Sequence, residues 1–255
     1  MGLFRHANIK GKGPEKFLKQ EVEFGLEHFD TLHPNEWGTE SSKNRIDSDI
    51  WVERYKYEAN LVKNLIEIEF NNIEFKNFLE LGSGPGVLSH EIQNHFSNLN
   101  YHLIDKPFAK KTFEEKKYKG TFFTQDLSSN FNVEDLHPKY DFVITNDFLE
   151  HVLNPSIILQ KIFELTHNNS IYMISNPNWR MGHTWIYRGL FDFDNLIYFL
   201  YVHGFEFIGY YPSELTIHNN VEEMKQFYPK LNSEELLDEE NIHSWNHYMI
   251  FKQRK

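Results

Sequence analysis

From residue 77 onward, short apolar runs alternate with segments whose apolar residues recur at helical spacing. Turn residues bound the apolar runs, which is the pattern of buried strands. Strands are predicted at residues 77–81, 101–104, 121–124, 141–145, 171–174, 206–211 and 247–252. Strands that alternate with helices and are apolar on both faces pair in parallel. The sequence therefore predicts a doubly wound α/β fold with a mostly parallel seven-stranded sheet.

Helices are predicted before the first strand and between the later ones. They fall at about residues 49–66, 87–97, 109–117, 155–165 and 194–203. Asn154 precedes the fourth of these helices as an N-cap, and Pro155 occupies its first turn. Gly204 follows the fifth helix in the position of a left-handed C-terminal cap.

The domain organisation is predicted from where this alternation begins and where it is interrupted. Residues 49–255 are expected to form one domain, and residues 1–48 an N-terminal appendage or lid that is partly helical, with a helical piece near 15–29. An insert at residues 212–244, with an acidic helical part near 220–240, precedes the last strand.

Composition excludes several classes of protein. The chain has no cysteine, which excludes structural disulfides, thiolate zinc sites, Fe–S clusters and a cysteine nucleophile. With a formal net charge of -11, nucleic acid is not a favoured partner, and the lysines between residues 106 and 119 are interpreted as a solvated helix face. The N-terminus lacks the apolar core of a signal peptide, and polar residues interrupt the most apolar stretch, 190–211. We therefore expect a cytoplasmic protein that does not insert into a membrane.

Glycines and polar residues follow each of the first four strands. Gly82, Gly84 and Gly86 come after the first strand, and Asp105 ends the second. The third and fourth strands are followed by Gln125-Asp126-Leu127 and by Asn146-Asp147-Phe148-Leu149-Glu150-His151. Ligands of doubly wound sheets bind outside the carboxyl ends of the strands, so these residues are candidates for one site.

The glycine-rich turn lets the backbone bend sharply and approach a ligand ahead of a helix N-terminus. The dinucleotide fingerprint G-x-G-x-x-G would need a glycine at position 87, but that residue is Val87, which disfavours a nicotinamide oxidoreductase. Asp105 ends the next strand, where a carboxylate can accept hydrogen bonds from two ribose hydroxyls.

The stretch NFLELGSGPG resembles motif I, E/D-x-G-x-G-x-G, of class I S-adenosylmethionine-dependent methyltransferases. YHLID, TQDL and YDFVITNDFLEHV are similar to the motifs at the second, third and fourth strands of that family. SNPNW and GLFDFDNLIYFLYVHGFEFIGYY resemble the back half of the subgroup that contains ubiquinone-biosynthesis O-methyltransferases. The resemblance covers residues 77–211 and the last strand.

Within motif I, the resemblance implies that the loop holds the methionine moiety of S-adenosylmethionine. Glu80 positions the loop. Gly82, Gly84 and Gly86 make room for the methionine moiety, and Ser83 is a further cofactor-binding residue of the loop.

Outside motif I, the resemblance implies further cofactor contacts. Asp105 holds the ribose hydroxyls, and Asn146 borders the sulfonium at the mouth of the substrate site. Arg54 or Tyr57, on the first helix of the domain, meets the cofactor's carboxylate. The residues implied around adenine, with the aspartate facing its amino group, are Gln125, Asp126 and Leu127.

The resemblance implies an enzyme that moves a methyl group to an oxygen or nitrogen of a small molecule or a metabolite-linked sugar. Methyl transfer from a sulfonium is an in-line displacement for which the protein supplies alignment, water exclusion and sometimes a base. His151 and His183 are the preferred bases because histidine takes up a proton near neutral pH, and Asp147 and Tyr187 are weaker candidates.

A divalent metal is an alternative at the fourth strand tip. Asp147, Glu150 and His151 stand at i, i+3 and i+4, which places them on one face if a helix has begun by Asp147, and His183 could approach the same point. The arrangement resembles the E-x-x-E-H set of metal-assisted methyltransferases. The interpretation that we favour has no metal, with Glu150 in local hydrogen bonds and His151 lining the pocket.

Two other functional classes stay open. A non-catalytic protein with the methyltransferase fold would act as a binding module, but the damage to motif I or Asp105 that would mark one is not seen. An RNA methyltransferase would carry N/D-P-P-Y/F after the fourth strand, where Asn146-Asp147-Phe148-Leu149 stands. A small-molecule substrate is therefore the expected partner.

Overall fold

The structure is a computed structural model that describes residues 49–127, 131–136, 139–177, 193–212 and 246–254. The predicted appendage at residues 1–48, almost all of the predicted insert at 212–244, and the candidate bases His183 and Tyr187 lie outside the described residues.

Helices and strands alternate along the described chain as the sequence predicts. The helices are α1 (Asp49–Asn64), α2 (Val87–Gln93), α3 (Pro107–Glu115), α4 (Pro155–Leu165) and α5 (Phe193–Val202). The strands are β1 (Asn77–Leu81), β2 (Asn100–Asp105), β3 (Thr121–Thr124), β4 (Phe142–Asn146), β5 (Ile171–Pro177), β6 (Phe205–Pro212) and β7 (Asn246–Gln253). A π-helical turn at Leu65–Glu69 extends α1, and a 3-10 turn at Leu149–His151 follows β4.

The strands form one seven-stranded sheet in the order β3-β2-β1-β4-β5-β7-β6. The first five strands in this order pair in parallel, and β7 runs antiparallel to both β5 and β6. From the boundary between β1 and β4, the chain adds its next strands in opposite directions, β2 and β3 on one side and β5 on the other. Ligands of such sheets bind at this reversal, outside the carboxyl ends of the strands. The predicted doubly wound fold is confirmed.

Two apolar clusters hold helices against the two faces of the sheet. On one face, buried residues of α1, α2 and α3 pack against Phe78 and Phe142 of β1 and β4. On the other face, buried residues of α4 and α5 pack against Leu79 and Val143 of the same strands. Successive strand residues therefore face opposite clusters, which is why the strand sequences are apolar throughout.

The helix ends and strand ends show which local predictions hold. Asn154 caps α4 as predicted, because its Oδ1 accepts a hydrogen bond from Ile157 N at 3.3 Å. Gly204 has φ +91° after α5, which confirms the left-handed cap. The strand predicted at 171–174 instead runs to Pro177, because its polar end pairs with the start of β7. No helix among the described residues is long and apolar enough to cross a membrane.

Candidate functional site

The glycine loop between β1 and α2 lies at the strand-order reversal. Gly82, Gly84 and Gly86 have φ of +68°, +52° and +82°, which is the left-handed region that glycine adopts most easily. A Cβ on Gly82 would lie 2.3 Å from Phe148 Cδ2, and one on Gly86 would lie 2.5 Å from Leu103 Cδ2. No heavy atom of the described residues lies within 4 Å of a Cβ built on Gly84. The outer glycines therefore serve packing, and Gly84 faces open space.

Hydrogen bonds fix the shape of this loop. Gly82 N donates to Ile104 O at 3.0 Å, and Gly86 N donates to Ser83 O at 3.0 Å. The buried Ser83 donates its hydroxyl to Gly84 O at 3.1 Å. The loop is thus held in place by the protein itself, which is the preorganisation that a binding loop needs.

Asp105, the last residue of β2, lies directly against the loop. Its Oδ2 accepts a hydrogen bond from Gly84 N at 2.6 Å, and its Oδ1 accepts one from Lys106 N at 2.6 Å. Burial raises the pKa of Asp105 and outweighs these two N–H groups, and the nearby charge of Asp126 raises it further. The structure therefore brings together Gly84, Asp105 and Asp126, as the sequence predicts.

Glu80, in β1, lies under the loop and is 2 % exposed. Its carboxyl group accepts a hydrogen bond from the Ser89 hydroxyl of α2. Burial raises the pKa of Glu80 to about 8, despite that hydrogen bond. Glu80 therefore ties β1 to α2 on either side of the loop, which agrees with its expected positioning role.

At the tip of β3, two of the three residues that the family resemblance places around adenine make other contacts. The Gln125 side chain bonds the main chain of Asn132, with Nε2 donating to Asn132 O at 3.0 Å and Oε1 accepting from Asn132 N at 2.7 Å. Leu127 is 3 % exposed and belongs to the core cluster under α4. Gln125 thus supports the following loop, whereas Asp126 is exposed at the tip.

Glu58 of α1, which the sequence analysis did not select, is the centre of a buried polar network. Its Oε1 accepts hydrogen bonds from Arg54 Nε at 2.8 Å and from the Tyr248 hydroxyl at 2.7 Å. Its Oε2 accepts one from Asn146 Nδ2 at 3.0 Å. Burial raises the pKa of Glu58, and the Arg54 guanidinium opposes that shift. The signal available in the sequence was a glutamate on the apolar face of α1, next to Ala59.

Arg54 joins this network to the tip of β4. Its guanidinium forms ion pairs with Glu58 and with Asp147. Asp147 Oδ1 also accepts a hydrogen bond from the Ser175 hydroxyl at 3.2 Å. Arg54 therefore lies between two carboxylates of the protein, and its contact with a cofactor carboxylate stays a prediction.

The geometry assumed for the metal alternative is wrong. Asp147 has φ +45°, a left-handed conformation, so no helix has begun there, and only a 3-10 turn follows at Leu149–His151. Asp147 pairs with Arg54, while Glu150 is buried and its Oε1 lies 3.7 Å from His151 Nε2. Within the described ranges, no group of three or more His, Asp or Glu residues could hold a metal ion.

Two asparagine side chains at adjacent strand ends carry buried polar atoms without hydrogen-bond partners among the described residues. In Asn146, of β4, the partnerless atom is Oδ1. In Asn176, of β5, both Nδ2 and Oδ1 lack partners, and the residue is 1 % exposed. A buried amide without partners is costly, and a catalytic or binding role is one explanation for its presence. In the sequence, Asn176 stands within the SNPNW motif.

Comparison with known proteins identifies the family of this chain. A family model described as "Methyltransferase domain" matches residues 52–230 of the chain. The chain belongs to this methyltransferase family. The predictions of a class I methyltransferase fold and of a methyltransferase are therefore confirmed, whereas the ubiquinone subgroup is not confirmed. No curated protein sequence matches the chain significantly.

Solved structures of methyltransferases share the fold at low sequence identity. The plantazolicin methyltransferase BpumL, solved in complex with SAH, has a TM-score of 0.62 and 16% identity over 94% of this chain and 98% of that one. BamL, solved with a triazolic desmethylPZN analog and SAH, has a TM-score of 0.64 and 14% identity over 95% and 100%. An S-adenosylmethionine-dependent methyltransferase from Clostridium acetobutylicum has a TM-score of 0.54 and 11% identity over 91% and 98%.

Proposed function

We propose that this methyltransferase moves a methyl group from S-adenosylmethionine to an oxygen or nitrogen of a small molecule or a metabolite-linked sugar. The observation that carries the proposal is the open space over Gly84, whose N–H donates to the Asp105 carboxylate, while Asn146, with its partnerless Oδ1, ends the neighbouring strand β4. The residues present there fit the cofactor, since two carboxylates and a partnerless amide oxygen are acceptors for hydroxyl and amine donors.

The loop and the second strand would hold the two ends of the cofactor. Gly84 leaves room for the methionine moiety, and Glu80 and Ser83 keep the loop in shape. Asp105 would accept hydrogen bonds from the ribose hydroxyls, and the exposed Asp126 would accept one from the adenine amino group. When bound, S-adenosylmethionine supplies the electrophilic methyl group.

The β4 and β5 tips would align the acceptor. Asn146 donates to Glu58 through Nδ2, so its amide plane is fixed and its Oδ1 is left to accept a hydrogen bond. Asn176 offers a buried donor and a buried acceptor at the neighbouring tip. Both amides thus limit the orientations of a bound hydroxyl or amine, and orientation contributes strongly to displacement reactions.

His151 is the proposed base among the described residues. It follows β4, and its ring is 15% exposed, so it can both contact a ligand and exchange a proton with water. His183 is a second candidate. The segment at 176–189 and the insert at 220–240 would cover the pocket, with the N-terminal appendage as a third wall, because loops at the carboxyl edge of an α/β sheet determine specificity.

A methyl-transfer screen tests the proposal. The protein is incubated with S-adenosylmethionine labelled in its methyl group and with metabolite extracts, sugar conjugates, and peptides that carry free amines. We expect label in an oxygen- or nitrogen-bound methyl group, with the label strongly reduced in His151→Ala and in Asn176→Ala. Label on carbon would contradict the acceptor type. Cofactor binding without transfer to any acceptor would favour the binding-module alternative.

A further inference from the structure

A cavity of about 360 Å³ lies at the amino edge of the sheet, opposite the glycine loop. Asn77, Asn100 and Thr121, which are the first residues of β1, β2 and β3, form its floor. Strands of four to six residues span roughly 13–20 Å. The cavity is therefore separate from the candidate cofactor site, and nothing in the proposed methyl transfer uses it.

The lining of this cavity has the opposite charge to the chain as a whole. The charged residues among its lining are Lys117 and Lys119, and no Asp or Glu lines it. The chain has 37 acidic residues against 26 basic ones. Within the described ranges, no ion pair engages the ammonium group of Lys117 or Lys119. Two ammonium groups without carboxylate partners beside a polar cavity favour an anionic ligand.

The backbone that carries these lysines is held firmly. Lys117 N donates to Glu114 O at 3.1 Å and Tyr118 N donates to Phe113 O at 3.2 Å, which is the hydrogen-bond pair of a Schellman cap after α3. Lys117 occupies the left-handed position of that cap with φ +57°, where glycine is usual. Only Lys117 and Asp147 among the described non-glycine residues have positive φ. A glycine would adopt this conformation more easily, so what Lys117 adds is its side chain.

Neighbouring side chains complete the frame. Gln93 Nε2 donates to Lys119 O at 2.7 Å, which anchors the second lysine to α2. The His90 ring stacks on Tyr118 with a centroid separation of 4.3 Å. Asn100 Nδ2 donates to Asn77 Oδ1 at 3.1 Å and so fixes both amides in the floor. The cavity therefore has two lysines whose backbone is held in place, together with uncharged hydrogen-bonding groups.

We propose that this cavity binds a small phosphorylated metabolite through Lys117 and Lys119. A phosphate monoester carries up to two negative charges and three acceptor oxygens, which suits two ammonium groups and the hydroxyl of Thr121. The volume falls in the range of metabolite sites. Because only two lysines line this pocket and the chain has a net charge of -11, a nucleic acid is the weaker choice of phosphate source.

Calorimetric titration with glycerol 3-phosphate at constant ionic strength tests the proposal, with glycerol as the uncharged control. The informative variant is Lys117→Gln with Lys119→Gln, and the matched control is Lys110→Gln with Lys111→Gln, which removes the same charge from α3 outside the cavity. We expect wild type and the control to bind, and the cavity variant to lose about tenfold or more in affinity, since each charge-assisted hydrogen bond contributes that much.

Lys117→Gly separates binding from folding. Glycine suits φ +57°, so this variant is expected to keep or raise the melting temperature while losing several-fold in glycerol 3-phosphate affinity. The proposal is overturned if wild type gives no saturable heat, or if the cavity and control variants lose affinity equally. Binding of S-adenosylhomocysteine (SAH) should be unchanged in every variant, so a failure of the proposed function would show up separately.

Discussion

Two aspartates at opposite edges of the sheet make similar hydrogen bonds, but their pKa values are shifted in opposite directions. Asp105, at the carboxyl edge, accepts hydrogen bonds from two backbone N–H groups, and burial raises its pKa. Asp141, at the amino edge, also accepts from two, Asn77 N at 2.8 Å and Lys76 N at 2.9 Å. For Asp141, the N–H groups and His167 outweigh burial and lower its pKa. The Asp141 carboxylate is thus stabilised by the protein, whereas the Asp105 carboxylate is less stable than it would be in water.

The difference indicates that ionised carboxylates stabilise the fold at the amino edge, whereas the carboxyl groups at the other edge are suited to binding a ligand. At the amino edge, Asp141 accepts hydrogen bonds from the backbone where β1 begins, and its ionised carboxylate stabilises the folded state. At the carboxyl edge, desolvation raises the pKa values of the buried Glu58 and Glu80 and of the half-buried Asp105. Such groups become more favourable when a ligand supplies donors or positive charge, and this is how perturbed carboxylates mark functional sites.

The largest difference between the two edges is expected for substitutions of their glycines. Gly84→Val should lower the affinity for S-adenosylhomocysteine by about 100-fold, because a side chain would fill the open space over the loop. Gly120→Ala, at the amino edge, should leave that affinity unchanged and destabilise the fold by about 1–2 kcal/mol, since its Cβ would lie 2.9 Å from Tyr101 O. Calorimetry and urea unfolding measure the two effects. Equal cofactor affinity in Gly84→Val and wild type would show that the loop is an ordinary turn.

The pH dependence of stability should differ between the edges. Folded Glu80 keeps its proton up to about pH 8, whereas an ordinary glutamate releases it near pH 4.5, so in that window the folded state holds more protons. The free energy of unfolding therefore falls as pH rises from about 4.5 to 8. Glu80→Gln should flatten this decline, and we expect a change on the order of 2–3 kcal/mol in the difference between pH 5 and pH 8.

Asp141 provides the opposite slope as the control for that experiment. Its pKa is lowered in the folded state, so its contribution is present above about pH 3.8 and is lost as pH falls further. Asp141→Asn should therefore destabilise the protein at neutral pH and have less effect in acid. Parallel pH profiles for wild type and Glu80→Gln would contradict the buried-carboxyl account of the carboxyl edge.

Removing the charge of Asp105 or of Asp141 should affect cofactor affinity differently. Asp105→Asn should lower the affinity for S-adenosylhomocysteine by about tenfold, because hydrogen bonds from ribose hydroxyls to a neutral amide oxygen are weaker than those to a carboxylate. Asp141→Asn should leave that affinity within about twofold, since it lies at the other edge. Calorimetric titration of both variants measures the difference. Equal losses would mean that Asp105 acts only through the fold.

The smallest effect is expected at the tip of β3. Gln125→Ala should change S-adenosylhomocysteine affinity by less than about threefold, because the Gln125 amide bonds the Asn132 main chain. The variant should instead lower the melting temperature by a few degrees, as the loop at 131–134 loses its support. A tenfold loss of affinity in calorimetry would place Gln125 at the adenine, as the family resemblance implies.

The sequence predicted the elements well because their apolar patterns are local. Strand and helix order, the Asn154 cap and the Gly204 cap all depend on residues within one or two turns, and all are found. Asp105 and the glycines were selected because they end or follow strands, and parallel strands bring those ends together. Such features can be read from spacing alone.

The remaining features depend on contacts distant in sequence. Glu58 contacts Tyr248 and Asn146, which are 190 and 88 residues away, and nothing near Glu58 indicates these partners. The left-handed φ of Asp147 ends the helical pattern that the D-x-x-E-H spacing suggested. Gln125 was assigned to adenine by resemblance, but its partner is a loop whose path the sequence does not reveal.

The most direct measurement is a calorimetric titration of the wild-type protein with S-adenosylhomocysteine, repeated with Gly84→Val. We expect wild type to bind at one site per chain with a dissociation constant in the micromolar range, about -8 kcal/mol, and the variant to give no saturable heat at the same concentrations. Absence of binding to wild type, with circular dichroism showing a folded chain, would contradict the assignment of the carboxyl edge as a cofactor site.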